Sequence, residues 1–577
     1  MVISDVRVQS AVHSLDQGRF GALIKAAMFA SLIVALSLLY LFVQFRGLST
    51  AGAMDQAQIA RHLAEGKGFT TDYVRPLALS IVQKQTKKDQ VDVSLFPDFF
   101  QSPLHPWVSS LGLRLIQGNW KMDLTEIVYR GDRIVAAVSM LFFLLSVAVW
   151  YFVLARLFDG RLALLGCAAV LLTDLMWQFS LSGLPQMLAL FLLSLATLAT
   201  LLAMESKPAL GLSIGWLIGA GACLGLMTLA HGLAVWIFFG WLIFVCLYFP
   251  RRGVAAAAAL AAYLFVVAPW LVRNYQVCGN PFGIASYGAF FNADPEQSFL
   301  RGSEINTEAS GTSLQGKARV RLSQQVEMIF GYLGMNFVAA AFFLALFHPF
   351  RNQRTQSFKW CVLLMWTFAV LGMSLYHPSG IVSENQFHVL FIPLFIGYGM
   401  AFLFVLWNRL DLRSALLRTI FICALFFVCA IPMLLTLLAG QKSPINWPPY
   451  VPPYIAIMRD WFKEDEMICS DMPWATAWYA QRSSLLLPES IRSFNLMHDY
   501  RHTVQPIRGL YLTPLTGDQP LFSGIYKGVY KEWATLITRP PQVRGFPLPA
   551  FAALPIDGQC IIFSDHPRWN QPRASNP

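Results

Sequence analysis

The sequence predicts an all-α polytopic membrane protein that carries a small α/β domain at its C-terminal end. Three observations lead to this fold class: the composition, a series of long apolar segments, and a change of character near residue 441. Of the 577 residues, 56% are hydrophobic and only 13% are charged, and the mean hydropathy is +0.51. A chain this apolar lies outside the range of soluble globular proteins.

About eleven segments approach the roughly 20 apolar residues that an α-helix needs to cross a bilayer. They cover residues 24–44, 133–155, 162–179, 184–203, 209–229, 232–249, 254–272, 328–348, 359–376, 387–407 and 414–439. Several neighbours are joined by only a few residues, which predicts antiparallel helical hairpins whose backbone polar groups are satisfied within the helices. No small-residue cleavage site follows the first segment, so it is expected to be a retained span rather than a signal peptide.

Membrane orientation, rather than a nucleic-acid partner, explains the net charge of +11. Lys and Arg cluster in alternate short connections, whereas the intervening short loops carry none, and the positive-inside rule assigns the basic loops to the cytoplasm. The N-terminus is therefore predicted inside and the C-terminus outside. Three long segments then fall on the outer face, 47–132, 273–327 and 439–577. Long connections commonly carry functional sites, so the site is expected there.

The first outer loop opens with a helical pattern from about Ala51 to Glu65. Ser49 or Thr50 is the expected N-cap and Gly66 the expected C-cap. This helix places Asp55 immediately after the first span. Further on, residues 102–116 predict a second short helix at the membrane interface, with prolines at its start.

A proline-rich linker at residues 443–453 marks the predicted boundary between a membrane domain (1–440, including outer loops 47–132 and 273–327) and an outer domain (441–577). Helical patterns alternate there with short strand patterns, which indicates a small α/β domain. The predicted strands are 467–470, 484–487, 509–512 and 560–564. Cys469 and Cys560 both fall in this domain and are candidates for a disulfide, although pairing cannot be deduced from sequence.

Four motifs follow one another along the membrane part of the chain. They are MDQAQIARHLAEGKGF at 54–69, QSPLHPW at 101–107, FSLSGLPQMLALFL at 179–192 and APWLVRNYQVCGNPF at 268–282. Their content and order resemble the GT-C superfamily of polyprenyl-phosphate-sugar-dependent membrane glycosyltransferases, which includes protein O-mannosyltransferases and lipid A aminoarabinose transferases. The resemblance covers roughly residues 20–440 and extends to the overall plan of many spans followed by an outer C-terminal domain.

The resemblance implies an inverting glycosyltransferase in a bacterial inner membrane. Such an enzyme would move a monosaccharide from a polyprenyl-phosphate donor to an acceptor on the periplasmic face. The sugar stays open, and lipid, glycan and protein acceptors all remain candidates, because a shared fold does not fix the substrate.

Sugar transfer from a lipid phosphate needs a base for the acceptor's proton and cations for the departing phosphate. The resemblance assigns the catalytic acid to Asp55 and a basic position after the seventh span to Arg273. Arg binds phosphate well because its planar group can donate two hydrogen bonds, so Arg273, Arg61 and Arg75 are the candidate donor-phosphate residues. The competing interpretations are a helix-start Asp that complements the helix dipole and an Arg that anchors the chain at the interface.

Six further residues are candidates for substrate binding: His62, His105, Gln186, His231, Glu384 and His388. Gln56 and Gln186 stand where acids of the family would be expected, which removes the paired carboxylates of metal-dependent relatives. A mechanism without a cofactor is therefore favoured over one with a divalent metal, and no pair of the nine cysteines has zinc-finger spacing. Asp174, an acid within the third predicted span, is equally compatible with a functional role and with helix packing.

Two other classes of function remain as alternatives. A transporter or lipid flippase would have similar hydropathy, but it should show paired interrupted helices in two related halves, and the sequence shows no such repeat. A non-catalytic membrane protein of the same fold is favoured by the missing second acid. Asp55→Asn distinguishes the interpretations, because it should abolish sugar transfer only if Asp55 does chemistry.

Overall fold

The structure is a computed structural model. It describes residues 19–116, 120–123, 125–126, 128–206, 209–290, 298–304, 314–376, 380–410, 414–439, 451–517, 530–538, 546–554 and 560–570. The chain divides into two compact units, Met1–Phe45 and Arg46–Pro577. In the first unit, helix α1 (Arg19–Leu38) continues as a π-helix over Leu39–Gln44. Its apolar side chains are largely exposed, Leu32 by 64%, as expected of a helix that faces lipid.

The second unit is dominated by helices. In chain order they are α2 (Ala51–Ala64), α3 (Pro76–Thr86), α4 (Leu104–Leu113), α5 (Arg130–Leu157), α6 (Gly160–Leu171), α7 (Asp174–Leu181), α8 (Gln186–Glu205), α9 (Leu210–Ala230), α10 (Ala234–Tyr248), α11 (Arg252–Cys278), α12 (Leu314–Glu327), α13 (Ile329–Tyr332), α14 (Phe337–Ala340), α15 (Phe342–Ala345), α16 (Gln353–Met373), α17 (Ile392–Arg409) and α18 (Ala415–Ala439). The short helices α2 and α4 occupy the places that the sequence predicts for them.

Eight helices among the described residues are long and apolar enough to cross a membrane. They are residues 27–44, α5, α8, α9, α11, α16, residues 388–409 and α18. Each corresponds to one predicted segment, and the predicted fold class of a polytopic helical membrane protein is confirmed. The remaining three segments take other forms. The segment 162–179 contains α6 and α7, which are bent by 60° relative to each other and make a ninth span if they are counted together. The segment 232–249 contains α10, which has only 15 residues, and the segment 328–348 is broken.

The prediction of a continuous span at 328–348 was wrong, because the backbone leaves the helical conformation in its middle. Gly334 and Met335 have φ angles of 69° and 52°, and only short helices flank them. The buried side chain of Asn336 then caps α14, since its Oδ1 accepts hydrogen bonds from the N–H groups of Val338 and Ala339 at 3.0 and 3.2 Å. Irregular backbone at membrane depth is tolerated where protein surrounds it, and hydropathy does not register the break.

Asp174 lies at the bend between α6 and α7. Its Oδ2 accepts hydrogen bonds from Gln178 Nε2 at 2.7 Å and from Thr436 Oγ1 of α18 at 2.8 Å. Trp177 Nε1 donates to the carbonyl of Leu171 at 2.7 Å, which satisfies a backbone group that the bend releases. These contacts assign Asp174 to helix packing, one of the two roles left open for it.

The predicted cytoplasmic loops come together at one end of the helix bundle. Glu205, at the end of α8, accepts from Arg156 of α5 at 2.9 Å and from Arg354 of α16 at 2.5 Å. The basic residues of alternate connections therefore share one end, as the pattern of charges predicts.

A six-stranded mixed sheet forms the core of the C-terminal region. Its strands are β1 (Tyr73–Val74), β2 (Met467–Ser470), β3 (Ser484–Leu486), β4 (Ile507–Leu512), β5 (Ala550–Leu554) and β6 (Cys560–Ser564), and their spatial order is β1-β3-β2-β4-β6-β5. The first four in that order are parallel, and β6 and β5 are antiparallel additions. Short helices surround the sheet: α19 (Pro452–Ala456), α20 (Met458–Trp461), α21 (Pro473–Ala475), α22 (Ile491–Asp499), α23 (Pro514–Gly517) and α24 (Ala534–Thr538).

The predicted α/β domain is thus confirmed, with two strands that the sequence did not indicate, β1 and β5. Strand β1 belongs to the first long loop, where Tyr73 pairs with Ser484 of β3. The loop and the C-terminal region are therefore joined through one sheet. The predicted boundary between residues 440 and 441 lies outside the described residues.

Cys469 and Cys560 do not form the disulfide that was considered for them. Cys469 on β2 pairs with Leu510 of β4, and Leu510 pairs with Phe563 of β6. Cys560 is thus two strands away from Cys469 and three residues further along β6. Because strands are spaced about 4.8 Å apart, this separation exceeds the roughly 7 Å that a disulfide can bridge between Cα atoms.

Candidate active site

Helix α2 carries Asp55 into the interior of the second unit. Thr50 caps the helix as predicted, because its Oγ1 accepts a hydrogen bond from the N–H of Ala53 at 3.4 Å. The helix ends at the predicted place, with Glu65 as C-cap and Gly66 following at a φ of 79°. Three small side chains of this helix, Ala53, Ala57 and Ala60, are at most 1% exposed, which allows neighbouring elements to pack close.

The carboxylate of Asp55 is almost completely buried and fully engaged. It is 2% exposed, and it accepts hydrogen bonds from Arg75 Nη2 at 2.5 Å, Gln101 Nε2 at 2.7 Å and Gln58 Nε2 at 3.2 Å. A buried carboxylate is tolerable only when such partners compensate it. Asp55 therefore has more contacts than a simple helix-start residue requires.

Arg75 also contacts a second carboxylate, because its Nη1 lies 3.3 Å from Asp98 Oδ1. It therefore bridges Asp55 and Asp98. Its guanidinium lies between two aromatic rings, 3.9 Å from the centre of Tyr73 and 4.1 Å from that of Phe100. Burial acts to lower the pKa of Arg75, but the attraction of Asp55, Tyr73 and Asp98 outweighs it and raises the pKa. Arg75 is thus a permanent cation between two acids.

Sequence reasoning missed Asp98, which stands three residues before Gln101 of the proline motif. Its Oδ2 accepts hydrogen bonds from the N–H groups of Phe100 and Gln101 at 3.1 and 2.7 Å. Burial raises the pKa of Asp98 to about 6; Arg75 opposes that rise and the charge of Asp55 adds to it. The position of Asp98 beside this motif is the one sequence signal that could have marked it.

Glu384 and Gln186, predicted separately, lie together. Gln186 Nε2 donates to the backbone carbonyls of Ser383 and Glu384 at 3.0 and 2.6 Å, which fixes the loop before residue 388. The carboxylate of Glu384 reaches α2 at Gly52, where a β-carbon would lie 1.7 Å from Oε2. Burial and then the charge of Asp55 raise the pKa of Glu384 to about 7, while Arg75 lowers it.

A cavity of about 540 Å³ opens beside these acids. Helices α9, α10 and α11 and the loop between α9 and α10 supply an apolar wall that includes Leu229, Val235, Trp236, Phe239, Leu264, Val267, Trp270 and Leu271. Gln56, Gln101 and Glu384 line its polar part, and Asp55 lies one hydrogen bond behind Gln101. The cavity therefore combines a lipid-like wall with an acidic cluster of three carboxyl groups, Asp55, Asp98 and Glu384.

Two basic residues that sequence reasoning missed also line the cavity, Lys317 and Arg321 of α12. Lys317 Nζ donates to the carbonyls of Gly288 and Ala289 at 2.8 and 3.1 Å. Burial and the charge of Arg321 lower the pKa of Lys317 to about 8. The sequence signal was their spacing of four residues within a helical pattern, in a long loop predicted to be functional.

Arg273 lies beside the acidic cluster but is not among the residues that line the cavity. Its guanidinium donates to the backbone carbonyl of Asp98 and, at 3.4 Å, to that of Phe69. It also lies 4.7 Å from the centre of the Trp270 ring. Arg273 thus supports the segment that carries Asp98.

Arg61 and His62 lie at the other end of α2, where the loop meets the C-terminal region. Both contact Asp72, at 3.1 and 2.9 Å. Arg61 also donates to the carbonyls of Ala477 and Trp478 at 2.9 and 2.8 Å. The described contacts of this pair therefore join α2 to the sheet domain.

The other predicted histidines fall into two places. His105 contacts Gln56, with Nδ1 2.6 Å from Gln56 Oε1, and His231 lines the same cavity as Gln56. Burial, then the neighbouring His231, lowers the pKa of His105 to about 3, and burial lowers that of His231 to about 4, so both are neutral near pH 7. His388 stacks on Tyr332 and is not among the cavity-lining residues.

Comparisons with known proteins support the fold. No family model matches the sequence, and no curated protein matches it. Among solved structures, ArnT from Cupriavidus metallidurans bound to undecaprenyl phosphate matches with a TM-score of 0.55 and 13% identity, over 95% of this chain and 100% of that one. ArnT in the apo state matches with a TM-score of 0.57 at 13% identity, over 94% of this chain and 98% of that one.

A second kind of structure also matches. The archaeal oligosaccharyltransferase AglB from Archaeoglobus fulgidus, in complex with an inhibitory peptide and a dolichol-phosphate, has a TM-score of 0.53 and 13% identity, over 95% of this chain and 75% of that one. Identities this low establish similarity of fold alone. The chain therefore shares its fold with ArnT and AglB, the kind of fold that the resemblance of its motifs to the GT-C superfamily implies.

Proposed function

We propose that this protein is a membrane glycosyltransferase that takes a monosaccharide from a polyprenyl-phosphate donor. The observation that carries the proposal is the cavity, in which an apolar wall between membrane helices meets the acidic cluster. The fold adds support, because structures that share it are described as bound to undecaprenyl phosphate or to a dolichol-phosphate. A lipid-linked donor would place its isoprenoid chain on the apolar wall and its sugar near the acids.

The proposed reaction is a single displacement with inversion at the sugar. The acceptor oxygen attacks C1 of the sugar, its proton passes to the acidic cluster, and a new C1–O bond forms. The bond between C1 and the phosphate oxygen breaks, and its electron pair stays on the polyprenyl phosphate. Asp55 is the proposed centre of this cluster, and Glu384 is its cavity-facing member, which a proton from the acceptor can reach directly.

We further propose that the reaction needs no divalent metal. Arg75 already holds a positive charge between Asp55 and Asp98, the position at which a metal ion would otherwise neutralise paired carboxylates. Undiminished turnover after treatment with EDTA is the expected result. Loss of activity that Mg²⁺ or Mn²⁺ restores would count against this part of the proposal.

We also propose that the site faces the periplasm of a bacterial inner membrane, following the distribution of Lys and Arg. The exposed residues Tyr500 and Arg252 lie on opposite sides in this assignment. Cysteine placed at Tyr500 should react with a membrane-impermeant maleimide in intact cells, and cysteine placed at Arg252 should not. Labelling at position 252 and none at position 500 would show that the site faces the cytoplasm instead.

The experiment is turnover of labelled undecaprenyl-phosphate sugars by protein in nanodiscs, with membrane extracts as the source of acceptor. Release of undecaprenyl phosphate is the measurement, so the acceptor need not be known. Asp55→Asn should slow release by at least about 100-fold. Asp123→Asn, in an exposed turn of the same loop, is the matched control.

Glu384→Gln serves as the second variant, because Asp55→Asn breaks a buried ion pair and its folding must be checked by size-exclusion chromatography. Wild-type protein that consumes no donor, or an Asp55→Asn variant that is folded and as fast as Asp123→Asn, would refute the proposal. A flippase would move the lipid without releasing sugar.

A further inference from the structure

Gly52, the second residue of α2, leaves space for the carboxylate of Glu384. A β-carbon at position 52 would have three atoms of Glu384 as its nearest neighbours outside the helix: Oε2, then Cδ at 2.7 Å, then Oε1 at 3.4 Å. The first two of these separations are too short for any residue that carries a side chain. Glu384 can therefore lie where it does only because position 52 is a glycine.

The clash that a larger residue would make at position 52 is confined to the end of one flexible side chain. Because the third-nearest atom still belongs to Glu384, other residues outside α2 lie 3.4 Å or more from the added carbon, an ordinary contact distance. Alanine also favours the helical conformation more than glycine does. Gly52→Ala should therefore displace the carboxylate of Glu384 and leave the rest of the fold in place.

Gln186 holds Glu384 from the other side, through the backbone. Nε2 of this completely buried side chain donates to the carbonyls of Ser383 and Glu384 at 3.0 and 2.6 Å. An ionised glutamate at position 186 could make neither hydrogen bond, because a carboxylate only accepts. The position of Glu384 is thus set twice, by α8 at its backbone and by α2 at its carboxylate.

We propose that Gly52 and Gln186 are positioning residues that hold the carboxylate of Glu384 between α2 and the cavity, an inference that rests on the proposed function. Glu384 lines the cavity, where the acceptor hydroxyl of the proposed reaction would lie. A base must lie within hydrogen-bond reach of the proton that it takes, and a misplacement of about 1 Å can cost about 100-fold in rate. Gly52 and Gln186 then act on the reaction through Glu384, without contacting the substrate.

The same arrangement affects the charge of Glu384. Burial is the largest cause of its raised pKa; the charge of Asp55 adds to the rise and Arg75 opposes it. The other titratable groups around it are Tyr73 and, on the cavity wall, His231, Tyr263, Lys317, Arg321 and Tyr376. A carboxylate pushed away from α2 into the cavity is less buried and further from Asp55, so its pKa should fall.

Turnover of labelled undecaprenyl-phosphate sugars by the full chain in nanodiscs tests the inference, with thermal unfolding measured on the same samples. Gly52→Ala should slow the release of undecaprenyl phosphate by about 100-fold. It should also lower the pH at which kcat/KM is half-maximal, and the unfolding temperature should be unchanged or higher. Gly215→Ala is the matched control, since Gly215 also lies within a helix and has open space where a β-carbon would be. This control should change neither the rate nor the pH profile.

Combined variants show whether the two positioning residues act through Glu384. Gly52→Ala added to Glu384→Gln should slow turnover by at most about twofold more, because both changes remove the same interaction. Glu384→Asp is one methylene shorter and withdraws the carboxylate from the new methyl group. Gly52→Ala combined with Glu384→Asp should therefore be faster than Gly52→Ala alone. Gln186→Glu should lower kcat and should likewise add little to Glu384→Gln.

The outcomes distinguish this inference from the proposed function. If the wild type consumes no donor, both fall. If Glu384→Gln is slow but Gly52→Ala matches Gly215→Ala in rate and pH profile, only this inference falls. It also falls if Gly52→Ala does not fold or unfolds well below the wild type, because the clash would then extend beyond one flexible side chain. Full additivity of Gly52→Ala with Glu384→Gln would overturn it as well.

Discussion

At the scale of residues, the site is organised by one buried cation. Arg75 contacts Asp55 and Asp98 and is enclosed by the rings of Tyr73 and Phe100. The ion pairs with Arg75 offset the free-energy cost of burying each of the two acids. Asp55, the carboxylate to which the resemblance assigns catalysis, is therefore not isolated from other charged groups, although Gln56 stands where a second acid of the family was expected.

Arg75→Met should lower the free energy of unfolding by about 3–5 kcal/mol, because it leaves two buried carboxylates without their cation. Thermal unfolding in detergent measures this effect. Arg130→Met is the control, since Arg130 is exposed and pairs with Glu126 at the surface, where an ion pair contributes little. Equal unfolding temperatures for the two variants would show that Arg75 is not a structural centre.

The proposed mechanism also makes the rate depend on pH through Glu384. With a pKa of about 7, its carboxyl group is protonated below that pH and can accept a proton only above it. The value of kcat/KM for donor consumption should therefore rise with pH and reach half its maximum near pH 7. Glu384→Gln should abolish this dependence on pH, because the Gln side chain does not titrate, and it should slow turnover by about 100-fold. A wild-type profile that is flat from pH 6 to 8 would exclude the role.

At the scale of elements, the first loop and the C-terminal region are held together at the start of α5. Asp132 is completely buried and accepts hydrogen bonds from Trp478 Nε1 and Tyr479 OH, each at 2.7 Å. Together with the pairing of β1 with β3, this contact fixes the loop that carries Asp55. The geometry of the site thus depends on the sheet domain.

Trp478→Phe should destabilise the protein by about 1–3 kcal/mol, because it leaves a buried oxygen of Asp132 without its donor. The unfolding temperature and the rate of donor consumption should both fall. Trp107→Phe makes the same substitution at a half-exposed position. It should change neither the unfolding temperature nor the rate of donor consumption. If both variants behave alike, the contact with Asp132 does not hold the loop.

The sequence predicted a helix or strand well where the residues of that element carry a local pattern. The bounds of α2 follow from Thr50 and Gly66, and the four predicted strands recur because short apolar runs between turn residues are distinctive. Strand β1 has only two residues and no pattern of its own. The break at Gly334 lies inside an apolar run, so hydropathy could not reveal it.

At the scale of the whole molecule, the site is made from distant parts of the sequence. Asp55, Asp98, Lys317 and Glu384 come from three separate connections between membrane helices. The motifs identified Asp55, and single-residue reasoning identified Glu384, but tertiary packing is what brings Glu384 to Gly52 on the helix that carries Asp55. The same holds for Lys317 and Arg321, which reach the wall of one cavity only through tertiary packing.

The most direct measurement is a cryo-electron microscopy structure of the protein in nanodiscs with undecaprenyl phosphate. The account predicts lipid density inside the cavity, with the isoprenoid chain along α9 and α11 and the phosphate within the cavity. The sugar-bearing side of the phosphate should then face Glu384 and Gln101. Density for the phosphate outside this cavity, with the cavity empty, would contradict the account.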